Sequence, residues 1–241
     1  MNRKNILLVA GMLTALAAKT EAGELIVNGG FETGDFTGWT IVNQAGGSGN
    51  VYNASFNPPL NPSPWGFETV GPAGGSRYAI SDSGDPGTHI LLQSFSVAPG
   101  AVSRLAFEMF VNDLSFLGGI VNPAGLDYTG GANQHVRVDI LSSSASAFDT
   151  GSGVLANYFL GVDPGGNPHP YTPYSFDISS VVAAGGTYQL RFAEVDNQYW
   201  QEMGVDNVSI ITSSNVPDTG FAIGYLALGL AGLISFRRLT G

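Results

Sequence analysis

The chain has 241 residues, no cysteine, and 19 acidic residues against nine lysines and arginines, for a formal net charge of −10. That balance argues against nucleic acid and anionic lipid as partners, since both are bound through basic patches. Without disulfides the fold relies on its apolar core, with or without a bound metal.

In chain order, Arg3 and Lys4 precede an uncharged Leu- and Ala-rich run from Ile6 to Ala18, and Thr20-Glu21-Ala22 follows. A basic start, a short apolar core and small residues before the cut predict a secretory signal peptide over residues 1–22. The run's 13 residues, at about 1.5 Å each, are too short to cross a hydrocarbon core of about 30 Å.

Residues 23–212 show almost no helical periodicity. Short strand-like runs appear instead at 24–27, 38–42, 77–80, 89–97, 104–111, 135–141, 174–178, 188–193 and 205–211. Val136, Val138 and Ile140 alternate cleanly and share one face. Gly-, Pro- and Asn-rich turns separate the runs, and the pattern predicts an all-β sandwich of the jelly-roll kind. Pairing the strand near residue 25 with the one near 208 closes it. A single helical turn is expected from Ile178 to Ala184, stopped by Gly185-Gly186. Three long loops, 43–64, 113–133 and 162–173, are dense in Gly and Pro, and loops of this length in a compact domain tend to be mobile or functional.

Residues 23–218 carry four arginines, no lysine and 18 acidic residues, a net charge of −14. Such a chain suits cations or neutral glycans. Sugar rings stack on aromatic faces, so loop aromatics are the candidate ligand residues. Trp65 stands on a Pro-rich loop, and Tyr199 and Trp200 stand in the polar loop Asp196-Asn197-Gln198-Tyr199-Trp200-Gln201. Trp39 lies in a strand and is assigned to the core. No catalytic constellation stands out. His89, His135 and His169 lack metal-ligand spacing, and there is no Gly-x-Ser-x-Gly elbow and no cysteine nucleophile. A glycosidase needs two carboxylates about 5–9.5 Å apart, and Glu108, Asp113, Glu194 and Asp196 are the only acids weighed for that role.

At the far end, Ser213-Ser214-Asn215 is a polar spacer before Val216-Pro217-Asp218-Thr219-Gly220. An uncharged apolar run at 221–236 and the pair Arg237-Arg238 complete residues 213–241. A run of that length with a basic stop is expected to sit in the membrane with the arginines inside. The order of motif, apolar run and arginines resembles a PEP-CTERM sorting signal of the Val-Pro-Asp kind. It is also similar to the Leu-Pro-x-Thr-Gly signal of sortase substrates, with Val216 in the leucine's place. The first resemblance implies processing by an exosortase-type membrane enzyme, the second anchoring by a sortase. Either makes the tail a processing segment outside the fold.

Asn28-Gly29-Gly30-Phe31-Glu32 and Gly204-Val205-Asp206-Asn207-Val208 resemble the opening and closing motifs of the galactose-binding-like jelly roll found in carbohydrate-binding modules and in exported PEP-CTERM proteins. The resemblance implies a structural calcium ion held by Glu32 and Asp206. Both are hard oxygen donors, but Ca²⁺ takes six to eight oxygens, so main-chain carbonyls of Gly-rich turns would have to add to them. The alternative is that Glu32 accepts N–H groups at a turn and Asp206 caps the last strand. Taken together, the sequence predicts a non-catalytic exported protein of the cell surface or extracellular polymer matrix. The alternatives are a secreted carbohydrate-binding protein and, behind it, a glycan-active hydrolase.

Overall fold

The computed structural model describes residues 22–55, 61–62, 68–82, 85–115 and 117–213, with main chain only at 61, 62, 68 and 82. The signal peptide up to residue 21, Trp65 and the whole Val216–Gly220 motif with its apolar run lie outside these residues.

Thirteen strands follow one another: β1 (Ala22–Glu24), β2 (Thr40–Asn43), β3 (Asn50–Ser55), β4 (Asn61–Pro62), β5 (Glu68–Thr69), β6 (Arg77–Asp82), β7 (Gly87–Val97), β8 (Val102–Asp113), β9 (Gln134–Ser142), β10 (Val154–Gly161), β11 (Thr172–Asp177), β12 (Gly186–Asp196) and β13 (Gln201–Ser213). One antiparallel sheet runs β11-β8-β13-β6-β3, with β1 also on β13; the other runs β10-β9-β12-β7-β2. From β6 onward the chain changes sheet at every connection except the β9–β10 hairpin. This is the all-β sandwich of jelly-roll type that the alternating runs predict. The first strand pairs with the last, Glu24 opposite Ile211, as expected, although β1 ends three residues sooner than the run 24–27.

The two inner faces meet in one core. Phe107, Met109 and Val111 of β8 and Val205 and Ile210 of β13 face Val136, Val138 and Ile140 of β9 and Leu190 and Phe192 of β12. Trp39 is in this core, as assigned, and its indole N–H donates to Asn28 O at 3.1 Å. The helical turn survives as one bond, Val182 N to Ile178 O, before Gly185 at φ +68°. β3, β4, β5 and β10 are not among the expected runs, and β3 and β4 fall in the expected loop 43–64. β10 spells Val-Leu-Ala-Asn-Tyr-Phe-Leu-Gly, which does not alternate, and its register shifts twice against β9.

The outer faces are covered as well. On the β9–β12 side, Leu126 packs with Ile90, Ala193 and Val195, so the 113–133 loop lies on the sheet. Beside it Arg191, 0% exposed, is buried with Asp139. Asp139 bridges Arg191 and Arg137 and accepts from Asn157 Nδ2. Arg191 also donates to the carbonyls of Ala147 and Asp149, and thereby ties down the loop between β9 and β10. Burial pushes the Asp139 carboxyl up, but the Arg137 hydrogen bonds and the two arginine charges outweigh it and hold the group below its usual value. Removing one member of such a buried set costs about 3–5 kcal/mol, because the partners keep an uncompensated charge. Asp139→Ala is therefore expected to lower unfolding free energy by about that amount, measured by urea titration. Since the folded-state value is depressed, Asp139's contribution is full well above the usual 3.8 and is lost as pH falls through the folded value.

Candidate functional site

The opening and closing motifs come together at one corner of the sandwich. Asn28 and Phe31 adopt left-handed backbone at φ +55° and +57°, and so does Asn207 at +50°. These turns bury Phe31 fully and aim Glu32 outward. Val208 N donates to Gly29 O at 2.9 Å, and a Cβ at Gly29 would lie 1.8 Å from Val208 O, so only glycine fits there. The register of β13 against β8 shifts between Asp206 and Ser209, next to this contact.

Both predicted metal ligands face N–H donors of a single loop. Glu32 Oε1 accepts from Ser76 N at 2.8 Å and Arg77 N at 2.9 Å, and Oε2 accepts from the Ser76 hydroxyl at 2.8 Å. Asp206 Oδ2 accepts from Ala73 N and Gly74 N, both at 2.9 Å, and Oδ1 from Asn207 N at 2.7 Å. Gly75, at φ +59°, leaves the room that the Glu32 carboxylate uses; a Cβ there would lie 2.3 Å from Oε1. The two carboxylates thus staple the loop before β6. This arrangement fits calcium poorly, since N–H dipoles attract carboxylates and repel cations, and each of the four oxygens already has at least one donor. Among the described residues no group of three or more His, Asp or Glu side chains is placed to hold a metal. The donors hold Glu32 below its usual pKa, chiefly through Ser76. Asp206 moves the other way, to about 6, because burial dominates and Glu108 adds repulsion.

Of the predicted ligand residues, Tyr199 and Trp200 fall just before the start of β13, and Trp65 lies outside the described residues. The loop from Asp196 to Trp200 and the segment Asp85-Pro86 before β7 line a cleft of about 320 Å³. Its walls are Asp85, Pro86, Asp196, Asn197, Gln198, Tyr199 and Trp200. The Tyr199 and Trp200 rings lie 4.8 Å apart at 30°, and Tyr199 is 47% exposed. Asp196, 1% exposed, accepts from Gly87 N at 3.1 Å and so fixes the two sides of the cleft to each other. The aromatic loop was legible in the sequence. Asp85-Pro86 was not, because nothing in a Gly- and Ser-rich turn tells which loop will lie opposite.

The groups weighed for catalysis are otherwise engaged. His89 and His135 are buried and pushed down to about 4, chiefly by burial, so both are neutral near pH 7 and unsuited to proton transfer there. Glu108 accepts from Asn207 Nδ2 at 2.6 Å, and Asp113 from Ser115 and Gln134. Glu194 is 0% exposed, on the same face of β12 as Phe192.

No protein-family model and no curated protein matches the sequence. Among solved structures it is similar to a family 61 carbohydrate-binding module in complex with β-1,4-galactotriose, at 12% identity over 78% of this chain and 97% of that one, with a TM-score of 0.49. A family 11 carbohydrate-binding module from Clostridium thermocellum, in complex with a β-1,3-1,4-mixed-linked tetrasaccharide, matches at 13% over 78% and 95%, TM-score 0.39. A Stig cyclase from Fischerella sp. TAU matches at 14% over 80% and 98%, TM-score 0.47.

The stapled corner makes a prediction about metal. EDTA is expected to leave the melting temperature unchanged, while Glu32→Ala lowers it; a fall of several degrees on chelation, reversed by Ca²⁺, would reinstate calcium at Glu32 and Asp206. The two carboxylates also give opposite pH slopes. Glu32, with its depressed value, loses its contribution as pH falls below 4.5. Asp206, with its raised value, binds protons more tightly folded than unfolded, so its contribution declines as pH rises from 3.8 to about 6. Melting curves from pH 3 to 7 on the parent, Glu32→Gln and Asp206→Asn chains would separate the two.

Proposed function

We propose that this chain is a non-catalytic exported protein that binds glycans in the Tyr199–Trp200 cleft. The observation that carries the reading is the close pair of an exposed Tyr199 and a half-buried Trp200 in a cleft lined by amide and carboxylate side chains. A sugar's apolar face stacks on an aromatic ring while its hydroxyls meet polar groups at the rim. The buried, neutral histidines and engaged carboxylates favour binding over hydrolysis.

The electrostatics favour neutral glycans over acidic ones. Asp85 and Asp196 line the cleft. No lysine falls within residues 22–213, and the arginines there are placed elsewhere. Arg137 and Arg191 hold Asp139, Arg77 donates to Asn53 Oδ1, and Arg104 donates to the Ser175 hydroxyl. A uronate or sulfate would therefore meet no cation in the cleft and two carboxylates. The signal peptide and the Val-Pro-Asp-Thr-Gly tail, both read from sequence, support placement at the cell surface or in an extracellular polymer matrix, with the tail passing through the membrane until an exosortase-type enzyme processes it. The calcium reading at Glu32 and Asp206 is left to the chelation experiment, and Trp65 stays a ligand residue on sequence grounds alone.

Affinity electrophoresis against mixed-linkage β-glucan, galactan, alginate and polygalacturonate tests the reading. Retardation is expected with a neutral polymer and absent with the two acidic ones. Tyr199→Ala is expected to weaken binding by tenfold or more, equal to about 1.4 kcal/mol, and Trp200→Ala to do the same. Equal retardation of the parent and both variants, or none with any polymer, would rule out this cleft as a glycan site.

A further inference from the structure

One side chain beneath the cleft has its hydrogen-bonding capacity directed almost wholly at the aromatic loop. Gln134, the first residue of β9, is 0% exposed. Its Oε1 accepts from Asn197 N at 3.3 Å and Gln198 N at 3.1 Å. Its Nε2 donates to Tyr199 O at 3.0 Å and to Asp113 Oδ1 at 3.1 Å. Both donors and both lone pairs of the amide are thus used, the full capacity of a glutamine. Three of the four bonds reach consecutive residues of the cleft wall, and the fourth crosses from one sheet to the end of β8 in the other.

We propose that Gln134 is the positioning residue of the cleft, setting the loop conformation that presents Tyr199 and Trp200 to ligand. This rests on the cleft being the ligand site, but the positioning itself can be read without ligand. On one side of the pair, Asn197 N has a second acceptor in Asn133 O at 3.0 Å, and Asn197 Oδ1 accepts from Asn133 N at 2.7 Å. On the other, the Trp200 carbonyl accepts from Leu114 N at 3.1 Å. Between these moorings Gln198 N donates to Gln134 and the Tyr199 carbonyl accepts from it. Without Gln134 the outer moorings stay while the Gln198–Tyr199 main chain loses these two bonds. A ring pair that must be in place before a sugar arrives binds more weakly when its loop has to be ordered first.

The residue type is constrained by the geometry. Methionine fills the same volume but offers no strong donor or acceptor. Glutamate keeps an acceptor for the two N–H groups, but when ionised it has nothing to give Tyr199 O or Asp113. Asparagine is one methylene too short to reach both sides from the same strand position.

Residue-resolved hydrogen exchange on the folded chain tests this. In Gln134→Met, exchange at the Gln198 amide is expected to rise tenfold or more, while amides in the β12–β7 and β13–β8 ladders keep their protection. Gln134→Asn, too short to reach both sides from the same strand position, is expected to raise exchange at Gln198 likewise. With mixed-linkage β-glucan as the probe, Gln134→Met is expected to bind at least tenfold more weakly than the parent. Unchanged exchange at Gln198 in Gln134→Met would overturn the proposal, and so would a rise matched throughout both ladders, since that marks general destabilisation. If Gln134→Met does not fold, the proposal stands or falls on Gln134→Asn, where unchanged exchange at Gln198 overturns it. If exchange responds as expected but neither parent nor variant binds any polymer, the positioning stands and the glycan reading fails.

Discussion

Hydrogen bonds from buried or anchored side chains to the main chain of distant loops hold this molecule in its working shape. A chain that crosses between sheets at nearly every connection leaves long loops at both ends, each with N–H and C=O groups that must find partners. With no cysteine to staple them, the loops are tied by carboxylates, amides and guanidinium groups. Glu32 and Asp206 hold residues 73–77, Arg191 holds the carbonyls of Ala147 and Asp149, and Gln134 holds residues 197–199. Glu32 ties its loop from the surface, whereas Asp206, Arg191 and Gln134 are buried polar groups, satisfied only when the loop lies in one place.

The two most recognisable motifs supply one set of these ties. Asn-Gly-Gly-Phe-Glu and Val-Asp-Asn-Val place three non-glycine residues in left-handed backbone and bring two carboxylates onto one loop. The same residue types in the same pattern also suit a cation, and the sequence alone could not decide between the two. The N–H groups of Ala73, Gly74, Ser76 and Arg77, on a loop more than forty residues from Glu32 and more than 120 from Asp206, favour the structural role, and the chelation experiment decides between the two.

The sandwich itself was largely legible. Strands with one apolar face, such as 135–141 and 188–193, declare themselves by alternation, and the pairing of the first strand with the last followed from where the runs fall. Strand β10 did not, since its edge position and shifted register free it from a strict period of two. Arg191 and Gln134 illustrate a deeper limit. In sequence each reads as the solvent-facing member of an alternating or polar run, yet both are fully buried, because a loop far along the chain covers one and a hairpin covers the other. At the cleft, Tyr199 and Trp200 were visible as aromatics in a polar loop, whereas Asp85 and Pro86 acquire meaning only through the fold.

The central proposal is a ligand site between Asp196–Trp200, the loop that Gln134 ties, and Asp85-Pro86. The most direct test is to map amide chemical-shift changes on titrating the ¹⁵N-labelled domain with a mixed-linkage β-glucan oligosaccharide. The account predicts changes confined to residues 85–87 and 196–200, with their immediate neighbours at 133–134. Changes centred instead on the Glu32–Asp206 corner, or on any surface away from the aromatic pair, would contradict it.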